Sequence, residues 1–187
     1  MKPLVSNSLM IAGMLLAFFG IWDWMESRTG QTEAALNFTA ASETASRSPV
    51  RRVRLGDTVA KLSIPRLNTS LYVMEGDDAT ELRRGPGHLP GSALPGARGN
   101  SIIAGHRDTH FRVLKDILPG DAILLETGDG SFRYRVKSTH VVSPSDTSSL
   151  APSSNAVLHL ITCYPFYWVG SAPKRFVVEA ALDPHVE

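Results

Sequence analysis

The sequence predicts a mainly β domain, closed or nearly closed on itself, carried behind an N-terminal membrane helix. Short apolar or alternating runs recur along residues 58–183 between turn-forming segments, with helical signals in only two connections. Gly 15 and Pro 12 in a chain of 187 residues suit a loop-rich β domain and set a helical bundle aside. The long apolar stretch from Leu9 to Trp22 stands apart near the amino terminus.

As a helix, Leu9–Trp22 rises only about 21 Å, short of the roughly 30 Å hydrocarbon core of a bilayer. Leu4–Met25 reaches about 33 Å, at the cost of including Ser6, Asn7, Ser8 and Asp23. Trp22 and Trp24 suit an interfacial aromatic anchor. A signal peptide is the alternative, but no small-x-small cleavage site directly follows the apolar run. Trp22-Asp23-Trp24-Met25-Glu26 stands there instead, and Ala40-Ala41-Ser42 lies too far downstream. Residues 1–25 are therefore expected to be an uncleaved, single-pass anchor, with Lys2 on the inner side and the rest of the chain extracytoplasmic. Residues 26–57 are rich in Ser, Thr, Ala, Glu and Arg, show no clear apolar period, and are expected to be a flexible tether. Arg51, Arg52 and Arg54 belong to that solvated segment.

The β domain is expected to begin near Val59. Ala60 to Ile64 alternates polar and apolar residues, and Pro65 ends it as a strand. Ser70 to Met74 is a second short strand. Asp77 to Arg84 is expected to make one or two helical turns capped by Asp77 or Asp78. Residues 85–99 hold five Gly and three Pro and predict an extended loop. Ser101 to Gly105 predicts a strand, followed by a helix capped by Asp108 or Thr109 and running to Ile117. Ala122–Thr127 and Ser131–Val142 form a hairpin through Gly128-Asp129-Gly130. Ser143–Asn155 is a long polar loop. Val157–Thr162, nearly all apolar, predicts a strand in a sheet centre, and Phe176–Leu182 is the last strand.

Charge excludes one class of function. With 19 basic and 18 acidic residues the net charge is +1, so no bulk field points to nucleic acid. Chemistry points to Cys163, the only cysteine, where the strand Val157–Thr162 meets a turn of aromatics, Pro and Gly. A free cysteine is more often a small buried hydrophobe, and that bland reading has to be weighed. A nucleophilic cysteine needs a partner that favours thiolate. Of 6 histidines, His106 stands just past a strand end after Gly105, mirroring the placement of Cys163. Acyl transfer also needs an oxyanion stabiliser. Arg175 follows Cys163 after a loop, at the head of the last strand, and its planar donors suit that task better than the neighbouring Lys174. Strand alternation lets only one of the two point inward. A metal site from His106, His110, His159 and Cys163 is the rival chemistry, but this spacing is weak beside paired-cysteine motifs, and neither metal nor cofactor is expected.

Ala104-Gly105-His106-Arg107-Asp108-Thr109, Ile161-Thr162-Cys163-Tyr164-Pro165-Phe166 and Gly170-Ser171-Ala172-Pro173-Lys174-Arg175 together resemble the signatures of the sortases. These are membrane-anchored cysteine transpeptidases of bacterial surfaces. The nearest subtype looks like class D or the single sortases of Gram-negative bacteria, and the likeness covers roughly residues 58–183. The resemblance implies an eight-stranded sortase β-barrel. It implies that Cys163 attacks a sorting signal similar to Leu-Pro-x-Thr-Gly, that His106 shuttles the proton, and that Arg175 holds substrate and oxyanion. Thr162, before the cysteine, would shape the substrate groove, with Leu89, Pro90 and Ile117 as lesser candidates. Ile161 departs from the threonine or valine of many relatives. The implied partners are a surface protein bearing the signal and an amine acceptor, either a cell-wall precursor or another protein. Transfer to water, as in a thiol protease, and a non-enzymatic binding module with a structural Cys163 are the competing expectations.

Overall fold

The computed structural model describes residues 2–45 and 53–183. Eight strands are present: β1 (Thr58–Ile64), β2 (Thr69–Glu75), β3 (Gly87–His88), β4 (Gly99–Gly105), β5 (Ala122–Thr127), β6 (Gly130–Val142), β7 (Ala156–Tyr164) and β8 (Lys174–Leu182). They close into a barrel in the order β1-β2-β3-β4-β7-β8-β6-β5, with β5 returning to β1. The pairs β2·β3 and β4·β7 are parallel, and every other pair is antiparallel.

Alternation decides which side chains fill the barrel. Leu62 and Ile64 of β1, Ile103 of β4, Leu158 and Leu160 of β7, and Val178 and Ala180 of β8 point inward and are almost fully buried. The opposite set on β4 and β7, including Ile102, Ala104, His159, Ile161 and Cys163, therefore faces outward. β7 reads as a continuous apolar run because it lies between β4 and β8, with substantial cover on both faces.

The helix α1 runs from Lys2 to Ala45. Within Leu9–Ala40 an 18-residue window of mean hydropathy 1.4 makes this helix long and apolar enough to cross a membrane by length and composition. Leu9 to Trp22 carries its apolar side chains fully exposed. This helix corrects the expectation for the tether, because residues 26–45 continue it and residues 27–38 dock on the barrel. Gly30 packs so close to Arg84 that a Cβ would stand 2.7 Å from its Cα. Ala34 is buried, and its carbonyl accepts from Thr58 Oγ1 at 3.2 Å. Phe38 stacks near Tyr72, ring centroids 5.8 Å apart. Ser27, Gly30, Gln31, Ala34 and Phe38 share one face at helical spacing. Most are small or polar, which is why no apolar period announced it. Arg54 is exposed, whereas Arg51 and Arg52 lie outside the described residues.

Other elements match expectation or refine it locally. Pro65 opens a 3-10 turn over Pro65–Leu67. The loop at 85–99 contributes β3. The helix α2, Ala79–Arg84, is capped by Asp78, whose carboxylate accepts from Thr80 N at 2.8 Å and Glu81 N at 3.3 Å. The segment His110–Asp116 is a 3-10 helix and not an α-helix. Phe111, Leu114 and Ile117, spaced by three, all pack into the core, which suits three residues per turn. The polar loop at 143–155 includes one 3-10 turn, Ser148–Leu150.

Candidate active site

Cys163 is the penultimate residue of β7, on the outer face, half-buried. Its register partner on β8 is Arg175, while Tyr164 pairs with Lys174. Directly opposed residues of an antiparallel pair project to the same side, about 5 Å apart at Cβ. Arg175 therefore shares the face of Cys163, and Lys174 takes the other. The Arg175 guanidinium donates through Nη1 to Lys174 O at 3.0 Å and Ala172 O at 3.4 Å. Its Nε and Nη2 have no partner among the described residues.

His106 reaches the same rim from the other flank. The parallel register of β4 and β7 ends at Gly105 opposite Thr162, and His106 and Cys163 each follow one residue later. Thr162 points inward, 2% exposed, and its hydroxyl donates to Gly105 O at 2.7 Å, bolting the two strand ends together. After His106 the chain turns back, and Phe111 N donates to His106 O at 2.9 Å. The Phe111 ring lies so close to Gly105 that a Cβ there would stand 2.7 Å from it. A cavity of about 120 Å³ beside the imidazole is lined by Ser27, Arg83, His106, Asp108 and Thr109, so α1 walls one side of the histidine.

Three residues from distant parts of the sequence thus stand at the ends of β4, β7 and β8, which the register sets side by side. His110 does not join them. It is buried, and its Nε2 lies 2.9 Å from Ser27 Oγ. Among the described residues no group of three or more His, Cys, Asp or Glu is arranged to hold a metal ion.

Outward residues of β4 and β7 form a strip from the Cys163 end toward a second cavity, of about 390 Å³. Leu89, Pro90, Ser92, Ile102, Leu150 and Pro152 line it. Ile102 lies about 13 Å along β4 from His106 at strand rise. Leu89 and Pro90 thus border an outer depression, whereas Ile117 does not. It is 5% exposed in the core, being one of the period-three residues that hold the 3-10 helix down.

Sequence reasoning assigned no task to Arg107. Its Nη2 donates to Trp168 O at 2.9 Å and Gly170 O at 3.2 Å, tethering the loop between β7 and β8 beside Cys163. The position was visible within the quoted motif, but its partners more than sixty residues away were not.

Comparison with known proteins agrees with this architecture. The Sortase domain family model matches residues 62–183. The chain is similar to Sortase D of Bacillus subtilis (strain 168), 31% identical over 95% of this chain and 97% of that protein. It is also similar to Sortase SrtE1 of Streptomyces coelicolor, 35% identical over 70% of this chain and 40% of that protein. Among solved structures, a Clostridium perfringens Sortase D5 transpeptidase superposes with a TM-score of 0.69 at 26% identity, covering 85% of this chain and 99% of that one. These likenesses identify an enzyme, a cysteine transpeptidase acting on surface proteins. The chain belongs to the sortase family.

Proposed function

We propose that this enzyme cleaves a Leu-Pro-x-Thr-Gly-like sorting signal through a thioester on Cys163 and passes the acyl group to an amine. The observation that carries the reading is the register: Arg175 opposes Cys163 on one side, and His106 follows Gly105 on the other. The Cys163 thiolate attacks the threonine carbonyl carbon, and the carbonyl electrons move onto oxygen. N–H groups of Arg175 donate to that oxyanion. As the C–N bond breaks, the His106 imidazolium gives its proton to the leaving glycine amine, and a thioester remains. The acceptor amine then attacks the thioester, His106 takes its proton, and the thiolate leaves. Thr162 acts by position, since its bond to Gly105 O fixes the relative placement of the two strand ends. The outer strip and the cavity beyond it suit the extended residues that precede the scissile bond. The exposed apolar run of α1 suits a single-pass anchor, with the barrel on the extracytoplasmic side and the surface protein and its acceptor as partners.

The test is cleavage of a fluorogenic sorting peptide, with mass spectrometry of products with and without a supplied amine. Cys163→Ala should lower turnover by about 10⁴-fold or more, and Arg175→Ala by about 10²–10³-fold, with circular dichroism unchanged. Arg175→Lys should stay close to the alanine variant, because an ammonium lacks the planar fork. Turnover retained in Cys163→Ala would sink the covalent mechanism. Products carrying only water, even in excess amine, would turn the reading to hydrolysis.

A further inference from the structure

The large outer cavity is bordered by a loop whose middle is held to β4 by a buried side chain. Residues 143–155 leave β6 and return to β7, carrying Leu150, Pro152 and Ser153 to the cavity wall. Hydrogen bonds within this loop are local. Ser148 N donates to Asp146 Oδ1 at 2.9 Å, Leu150 N to Thr147 O at 2.9 Å, and Ala151 N to Ser148 O at 3.2 Å. Such bonds shape a turn without fixing it to the barrel, and a backbone tie, Gly99 N donating to Asn155 O at 3.2 Å, holds only its far end beside β7. Asn100, the second residue of β4 and 7% exposed, supplies the attachment. Its Nδ2 donates to Ser149 O at 2.8 Å and to Ala151 O at 3.0 Å.

The amide of Asn100 is itself oriented. With Nδ2 committed to two carbonyls, Oδ1 must accept, and His159 Nδ1 lies 2.7 Å from it. His159 is the register partner of Ile102 on β7, on the outward face. Burial holds its pKa down, against the pull of Glu179 and with a smaller push from His140, and the contact with the accepting Oδ1 sets a hydrogen on Nδ1. A flipped amide would set Oδ1 against two carbonyl oxygens and its NH₂ against an N–H. The opposite lip of the cavity has a separate clamp. His88 Nε2 bonds to Ala93 O at 3.0 Å, and Ser92 Oγ donates to Leu89 O at 2.8 Å.

We propose that Asn100 is a positioning residue for substrate selection, locked by His159, that holds the 143–155 loop so that Leu150 and Pro152 complete the cavity. The inference rests on reading the cavity as a seat for the sorting signal. It adds that the shape of this seat is set by a buried amide on β4, remote from the reacting atoms.

Two readouts on the full chain test it. Hydrogen exchange of the amides at 147–151 should accelerate about tenfold in Asn100→Ala and Asn100→Asp, the scale of losing one or two net hydrogen bonds, while amides of β7 and of 89–98 keep wild-type rates. With the sorting peptide, KM should rise about tenfold and kcat should stay within about twofold. His159→Phe, which leaves Asn100 in place, should move both readouts the same way. His159→Asn, which presents an N–H near the position of Nδ1, should restore them. Unchanged exchange at 147–151 in both Asn100 variants overturns the proposal, as does a fall in kcat with KM unmoved. Should Asn100→Ala fail to fold, His159→Phe decides by the same measurements. If the wild-type enzyme cleaves no sorting peptide, the functional reading falls while the exchange data still decide the clamp.

Discussion

Gly105 carries a constraint out of proportion to its size. It ends β4, pairs with Thr162, receives the Thr162 hydroxyl on its carbonyl, and lies under the Phe111 ring. The ring is fully buried and cannot swing aside without opening the core. A methyl at 105 would therefore push either Phe111 or the strand end that delivers His106. Gly105→Ala is expected to cost about 1–3 kcal/mol by overpacking and to lower kcat, measured by thermal melts and peptide cleavage. Thr162→Val keeps the shape but leaves a buried carbonyl without its donor. It is expected to cost about 1–2 kcal/mol in denaturant titration.

At the scale of elements, one side-chain amide stitches α1 to the edge of β2 alongside its packing contacts. The outer edge of β2 at Tyr72 has no strand neighbour, because β3 pairs only with Met74 and Glu75. Gln31 takes the place of that neighbour. Its Oε1 accepts from Tyr72 N at 2.7 Å, and its Nε2 donates to Tyr72 O and Arg84 O, each at 3.0 Å. Ion pairs at the same seam, Glu33 with Arg84 at 3.0 Å and Glu26 with Arg83 at 3.5 Å, are partly exposed and contribute little by comparison. Gln31→Ala is expected to destabilise by about 2–3 kcal/mol and to remove hydrogen-exchange protection at the Tyr72 amide. Protection retained at Tyr72 would show that the helix is held by packing alone. Because Ser27 borders the His106 cavity, undocking should also alter access to the imidazole.

For the whole molecule, closure of the barrel has an electrostatic fastening. Arg66, in the turn after β1, donates through Nη2 to Asp121 Oδ2 at 2.7 Å, where β5 begins. Asp121 also accepts from Leu118 N at 2.8 Å and is 7% exposed. The Arg66 guanidinium holds the Asp121 carboxyl below the usual range, outweighing burial. A depressed folded pKa contributes stability that is present above the unfolded value and lost as pH falls through the folded one. The melting temperature should therefore drop on acidification below about pH 4. Asp121→Asn should be less stable at neutral pH and show a flatter profile in that acid window. An equally steep acid profile in the variant would assign the loss to other carboxylates.

Sequence alone determined the features that depend on neighbours along the chain. The strand runs, the Asp78 cap, the hairpin at 128–130 and the apolar N-terminal stretch follow from periodicity and turn chemistry over a few residues. The candidates Cys163, His106 and Arg175 were legible because each stands beside a strand end within a distinctive motif. Only tertiary structure decided what depends on registers and on polar or small packing faces. The face of residues 27–38 is built from Gly, Ala, Ser and Gln with Phe38 as its one large apolar member, so its burial leaves no periodic hydrophobic signature. A period of three, not 3.6, at Phe111, Leu114 and Ile117 sent Ile117 into the core and away from the groove. Asn100 and Arg107 looked like ordinary polar residues because the carbonyls they hold lie about fifty and sixty residues away, across turns whose closure no local pattern encodes. Chain-local chemistry named the candidate groups, and long-range register set what stands around them.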